Sequence, residues 1–296
     1  MALTKIILPG VLPSYQGKVR DLYDLGESII MVASDRLSAF DVIFEQGIPQ
    51  KGEILTAISN SWFQWLTNVK NHLISTEVKD FPAPFSDFHS QLNGRAVWVK
   101  KTKRIDFECV VRNYLMGSAW AEYKKSGTVN GEKLPPGLEA GCRLHTPIFT
   151  PATKADEGHD INVPFSAMQN SLGKELAESI RKASIELFER VSQQLATQNI
   201  LLLDTKLEFG LLDNELILID EIFTPDSSRF CQISEWENAI EKKIPVPTMD
   251  KQIIRDYLEK IQWDKSPPPP ALPDDIIERT RQKYVQIQEI VKCITE

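Results

Sequence analysis

Hairpin-forming strands and long amphipathic helices share this 296-residue chain, which predicts a mixed fold of sheets packed against helices. Three observations carry that expectation. Residues 201–219 hold two apolar runs with a short polar break at Asp213-Asn214, a hairpin signal. Residues 15–23 alternate apolar and polar, Gly26 offers a turn, and 28–33 is an apolar strand. Residues 173–196 and 274–294 are helical. The first puts Leu176, Ile180, Leu187, Val191 and Leu195 on one stripe, and the second Ile277, Thr280, Tyr284, Ile287 and Val291.

A hydrophobic fraction of 42% and a charged fraction of 25% suit a globular protein with a sizeable core, as one large domain or two packed lobes. The net charge of −7 argues against general nucleic-acid affinity and leaves room for a local basic pocket. Cys109, Cys142, Cys231 and Cys293 form no C-x-x-C, which argues against zinc or a disulfide framework and suits a reducing cytosol. The N-terminus lacks a signal peptide's apolar core, and no apolar run reaches membrane-spanning length.

Along the chain, Gly17, Lys18 and Arg20 stand near the start of the first hairpin. A plain hairpin explains them, and so does a cover for a triphosphate, although no Walker A pattern is present. Residues 34–41, SDRLSAFD, follow a strand end. Ser34 and Asp35 fit a cap or turn, and the segment also fits a ligand loop. Residues 53–69 read as a helix with Ile54, Ile58, Ser61, Trp62 and Trp65 inward. Residues 80–90 read as loop. The basic run 100–104, containing Lys101, is either a solvated connection or a hinge touching a nucleotide.

Residues 106–114 read as a strand. Glu108 and Arg112 share a face there, so an internal salt bridge competes with a phosphate site built from Arg112 and the Gly117-Ser118 turn. Residues 127–141 and 146–162 read as loops, the second carrying Lys154, His159 and Asp160. His72, His89 and His145 read as structural. Residues 250–261 are helical, and 267–270 form a stiff proline connector.

The central hairpin fits either an ordinary surface hairpin with solvated acids or a site that carries the chemistry, and the polar loop after it favours the second. Asp204, Lys206 and Glu208 are two apart and share a strand face. An odd loop, 213–215, would pair Glu208 with Asp220, at roughly 5 Å, a pairing that calls for a shared cation. Hard divalent ions such as Mg²⁺ suit one or two such oxygens plus substrate phosphates. A two-residue loop would put the two side chains on opposite faces. The next loop, 224–229, adds hydroxyls, Asp226, Ser228 and Arg229.

Six motifs, in order, resemble the SAICAR synthetase family: GKVRDLY at 17–23, SDRLSAFD at 34–41, ECVVRNYLMGS at 108–118, FTPATKADEGHD at 149–160, LLLDTKLEFG at 201–210 and DEIFTPDSSRF at 220–230. The resemblance spans nearly the whole chain. Asp106 replaces the family's usual proline, Cys231 its common tryptophan, and 232–246 departs from the pattern.

The resemblance implies an α+β, two-lobed fold with ATP in the cleft. A smaller antiparallel β lobe, 1–103, precedes a larger α/β lobe, 104–296. It implies a cytoplasmic ligase of purine (IMP) synthesis that joins L-aspartate to imidazole ribonucleotide carboxylate through an acyl phosphate, with ATP and Mg²⁺. Nucleic acid and membrane are not partners, and monomer and homo-oligomer both stay open. Glu208 and Asp220 would hold Mg²⁺. Gly17, Lys18, Arg20, Lys101 and Lys206 would meet ATP. Arg112, Ser118, Ser228 and Arg229 would meet the ribonucleotide's phosphate end, with Ser38 and Asp41 nearer its base or ribose. Lys154, His159 and Asp160 would order substrate. Lys206 and Asp204 would be catalytic, Asp204 either orienting Lys206 or helping to take the amine proton.

Overall fold

The computed structural model describes residues 2–154 and 161–296. The chain groups into two units: Met1–Lys103, Leu211–Asp226 and Met249–Glu296 form the first, and Arg104–Gly210 and Ser227–Thr248 the second. The segment 104–296, expected as one lobe, is therefore divided, because two of its stretches pack back onto the N-terminal part.

The first unit is built on a five-stranded antiparallel sheet in the order Tyr15–Gln16, Arg20–Asp24, Ser28–Ala33, Ala96–Lys100, Leu73–Ser75. Alternation sends Ile30, Val32 and Ala96 into a cluster with Tyr23, Phe81, Phe85 and Leu92. Full burial of such side chains contributes about 1.5–3 kcal/mol each.

The helix Lys51–Trp65 buries Ile54, Leu55, Ile58 and Trp62 and packs on strand Ser28–Ala33 and on the final helix, Asp274–Thr295. That last helix buries Ile276, Thr280, Tyr284, Ile287 and Val291, nearly the predicted stripe. A small hairpin, Arg36–Ala39 with Val42–Gly47, rests on Ile254, Leu258, Leu272 and Ile276.

In the second unit, Phe107–Tyr114 lies between Ile200–Leu212 and Arg143–Thr153, with Ser228–Gln232 pairing the other edge of Ile200–Leu212. Helix Lys174–Thr197 packs on Phe107–Tyr114 and Arg143–Thr153 through Ile180, Leu187, Phe188, Val191 and Leu195.

Two loop expectations are corrected here. Residues 128–133 hold a small hairpin, Thr128–Val129 with Glu132–Lys133. Much of 146–162 is strand, Arg143–Thr153. Its prolines are accommodated because Pro147 falls in a register shift, between Arg143 and Ile148. On the far edge, among the described residues, the ladder pairs Ala152 and Thr153, and Pro151 needs only its carbonyl, which accepts from Val163 N–H at 3.0 Å.

The strand Ile200–Leu212 turns at Asp213 and Asn214, with φ of 52° and 63°, into Glu215–Ile219. This is a two-residue turn of the primed kind, whose left-handed backbone matches strand twist. The odd loop that would have paired Glu208 with Asp220 is not formed, and the register argument for that carboxylate pair lapses.

Candidate active site

Asp204 stands in the middle strand of three. Register places Arg112 opposite it on one side and Arg229 opposite it on the other. Both guanidiniums donate to the same carboxylate oxygen, Oδ2, Arg112 Nη1 at 2.9 Å and Arg229 Nη1 in a short contact. Arg112 is further fixed by Nε to Thr150 Oγ1 at 3.0 Å and by Nη2 to Ser118 Oγ at 3.4 Å.

Gly117 has φ of 55°, and a Cβ there would lie 2.8 Å from Arg229 Nη2. Glycine is what lets the arginine reach the start of helix Gly117–Ser126. Two cations share one carboxylate. Burial lowers the pKa of Arg112, Asp204 opposes the shift, and Arg229 adds to it. The two guanidiniums converge on Asp204 as forks, a geometry that suits a phosphate.

Two residues further along, Lys206 Nζ donates to Glu208 Oε1 at 2.8 Å and lies 2.9 Å from Glu108 Oε1. Lys154 donates to the other oxygen of Glu208. Burial alone would raise the Glu208 pKa. Lys206 and Lys154 outweigh it and hold the carboxyl well below the usual range.

In the first unit, Arg20 bonds Asp220 and lies 2.8 Å from Glu221 Oε2. Burial lowers the Arg20 pKa, and the two acids more than reverse that. Arg20, Asp220 and Glu221 border a cavity of about 30 Å³ beside Lys51–Trp65, with Ser59, Arg95 and His72 among its walls. His72 is kept neutral, its pKa pushed down to about 3 by burial and then by Arg20 and Lys100.

The sequence pattern of SAICAR synthetase matches residues 13–270. Phosphoribosylaminoimidazole-succinocarboxamide synthase of Leptospira interrogans is 50% identical over 283 residues, covering 96% of this chain and 98% of its own length. That of Thermodesulfovibrio yellowstonii is 45% identical, covering 96% of each. A solved SAICAR synthase from Saccharomyces cerevisiae, complexed with SAICAR, superimposes with a TM-score of 0.87 at 37% identity, covering 99% of this chain and 98% of its own.

The chain belongs to the SAICAR synthetase family. As in that family, it is an ATP-dependent carbon–nitrogen ligase of purine biosynthesis, joining L-aspartate to imidazole ribonucleotide carboxylate. No helix among the described residues is long and apolar enough to cross a membrane.

Several predicted site residues of this SAICAR synthetase family member lie together. Arg112, Ser118, Asp204 and Arg229 form one group, and Lys154, Lys206 and Glu208 another. Lys18 pairs with Asp41 at the surface. Gly17 gives its N–H to Arg20 O at 2.7 Å in the turn of its hairpin. Lys101 bonds Asp24 at 2.6 Å. Ser228 is buried with its hydroxyl 2.7 Å from Thr205 Oγ1. His159 and Asp160 lie outside the described residues.

The expectation that Asp204 orients Lys206 is corrected, because Asp204 is the counterion of two arginines and Lys206 is held by Glu108 and Glu208. Glu108 was missed as a site residue. Spacing offered it Arg112, but the ladder gives Arg112 to Asp204 and faces Cys109 with Leu207, which brings Glu108 to Lys206.

Proposed function

We propose that Arg112 and Arg229 receive the 5′-phosphate of the imidazole ribonucleotide carboxylate, with Ser118 lining that end; Ser228 turns to the opposite sheet face, where its hydroxyl meets Thr205. The convergence carries this reading: two guanidiniums meet at one carboxylate beside the start of helix Gly117–Ser126, and arginine forks suit a phosphate dianion. Ser38 and Asp41 serve the base or ribose. Gly17, Lys18 and Arg20 serve the ATP phosphates, and Lys101 its adenine side. The substrates are small molecules, and the enzyme acts in the cytoplasm.

Glu208 would hold Mg²⁺ as an ionised carboxylate beside two lysines, and a magnesium nucleotide needs only one or two carboxylates beside its phosphates; Asp220, which the two-residue turn takes out of register with Glu208, stays with Arg20. When bound, the ion would neutralise charge on the transferring phosphoryl group.

A carboxylate oxygen of the ribonucleotide attacks the γ-phosphorus of ATP, giving an acyl phosphate and ADP. The amine of aspartate attacks the acyl carbon, the C–O bond to phosphate breaks, and an amide and phosphate remain after loss of one amine proton. No enzyme nucleophile is needed, so positioning and charge neutralisation supply the catalysis. Lys206, held by Glu108 and Glu208, would meet the phosphoryl oxygens. Lys154, with His159 and Asp160, orders substrate.

Ribose 5-phosphate tests the phosphate site. It should inhibit competitively against the ribonucleotide and not against ATP. Competition with ATP alone would place the arginine pair at the nucleotide instead.

A further inference from the structure

The first unit contains a buried knot of charge that the reaction does not use. Asp226 Oδ2 lies 2.8 Å from Lys51 Nζ and 2.8 Å from Lys251 Nζ, and Asp226 Oδ1 accepts from the Tyr284 hydroxyl at 2.7 Å. Lys251 also donates to the backbone carbonyl of Ser38 at 3.5 Å. That carbonyl opens the turn of the small hairpin, where Ala39 pairs with Val42 and Phe40 and Asp41 have φ of 51° and 63°. This is a two-residue primed turn like that at Asp213-Asn214, but its first position is a phenylalanine, a bulky residue that does not favour left-handed backbone.

The surroundings here come from the C-terminal segment. The Trp263 ring meets Phe40 edge-on at 6.4 Å and Phe44 at 5.7 Å, and Lys265 Nζ lies 4.2 Å from the Phe40 ring centre. Trp263 Nε1 donates to Ser266 O at 3.1 Å, which fixes the indole. Gln46, on the second strand of the hairpin, bonds both N and O of Leu272, at 2.6 and 2.9 Å. The turn is thus gripped by Lys251 at one end and by an aromatic and cationic brace over Phe40.

We propose that Trp263 and Lys251 are positioning residues for the Ser38–Asp41 turn, so that the C-terminal segment sets how tightly the ribonucleotide is held. This rests on the reading of Ser38 and Asp41 as ribonucleotide contacts. A displaced turn weakens that substrate most, since small misplacements of a binding group cost large factors; Lys18 meets the turn only through an exposed pair with Asp41, which contributes little, so the effect on ATP stays small.

The test is steady-state kinetics on the full chain carrying Trp263→Ala, Trp263→Phe, Lys251→Met or, as a control, Asp41→Ala. Trp263→Ala and Lys251→Met should each raise the ribonucleotide KM roughly 10-fold while the ATP KM stays within about 2-fold. Trp263→Phe, which keeps an aromatic edge, should recover most of the loss. An unchanged ribonucleotide KM in both variants, with a raised one in Asp41→Ala, would overturn the brace. So would an equal loss on both substrates accompanied by a lowered Tm, the mark of a merely structural role. An unchanged KM in Asp41→Ala would remove the turn from the substrate site, and the inference would fall with that reading.

Discussion

Asp204 and Asp226 are both single buried carboxylates shared by two cations, and they differ in the kind and exposure of those cations. At Asp226 the partners are lysines, a tyrosine hydroxyl takes the remaining oxygen, and the Lys51 side chain is 0% exposed. Burial alone would raise the Asp226 pKa; Lys251 and Lys51 outweigh it and hold the group well below the usual carboxylate range. At Asp204 the partners are arginines, each with five N–H donors, and the Arg229 side chain keeps 20% exposure. The first arrangement is closed and fastens the chain. The second keeps a partly exposed arginine fork, which suits a binding site. Lysine's point charge suits the knot, and arginine's fork suits the anion.

Glu208 is a third carboxylate shared by two cations, and it sharpens the contrast because the magnesium role proposed for it would require it to exchange them for a metal. Glu208→Gln should lower kcat on the order of 100-fold or more. It should also weaken Mn²⁺ binding followed by electron paramagnetic resonance, a readout independent of turnover. Unaltered Mn²⁺ binding would make Glu208 a counterion only.

Asp226→Asn tests the closed arrangement. It leaves Lys51 buried without its acid, and breaking a buried pair from one side costs about 3–5 kcal/mol. Chemical denaturation should show that loss, and a change under about 1 kcal/mol would mean the knot fastens nothing.

His72 gives a smaller effect. Folded, it stays neutral down to about 3, whereas the unfolded chain takes up a proton near 6.5. Between those values the unfolded state binds the extra proton, so stability rises with pH and is lost on acidification. His72→Gln should flatten that part of the Tm–pH profile, and an unchanged slope would show that His72 charges in place.

Local pattern made much of this legible. The stripe of the last helix was read almost residue for residue, since Thr280, Tyr284, Ile287 and Val291 follow a 3.6-residue period that only a buried helix face needs. The grouping of Asp204, Lys206 and Glu208 followed from a period of two. What stayed hidden depended on partners distant in the chain. Glu108 spaces correctly for Arg112, and only the ladder between Phe107–Tyr114 and Ile200–Leu212 assigns it to Lys206.

The turn at Asp213-Asn214 was ambiguous by one residue, and one residue reverses every side chain beyond it. Strand Arg143–Thr153 was masked by prolines that an open edge tolerates. The return of 211–226 and 249–296 to the N-terminal unit has no local signature at all.

The open arginine pair is the centre of the account, and equilibrium binding of the imidazole ribonucleotide carboxylate to Arg229→Met measures it most directly. Loss of charge-assisted hydrogen bonds should weaken the ribonucleotide Kd roughly 10- to 100-fold and leave the ATP Kd unchanged. An unchanged ribonucleotide Kd, or a loss confined to ATP, would contradict the assignment of Arg112 and Arg229 to the phosphate.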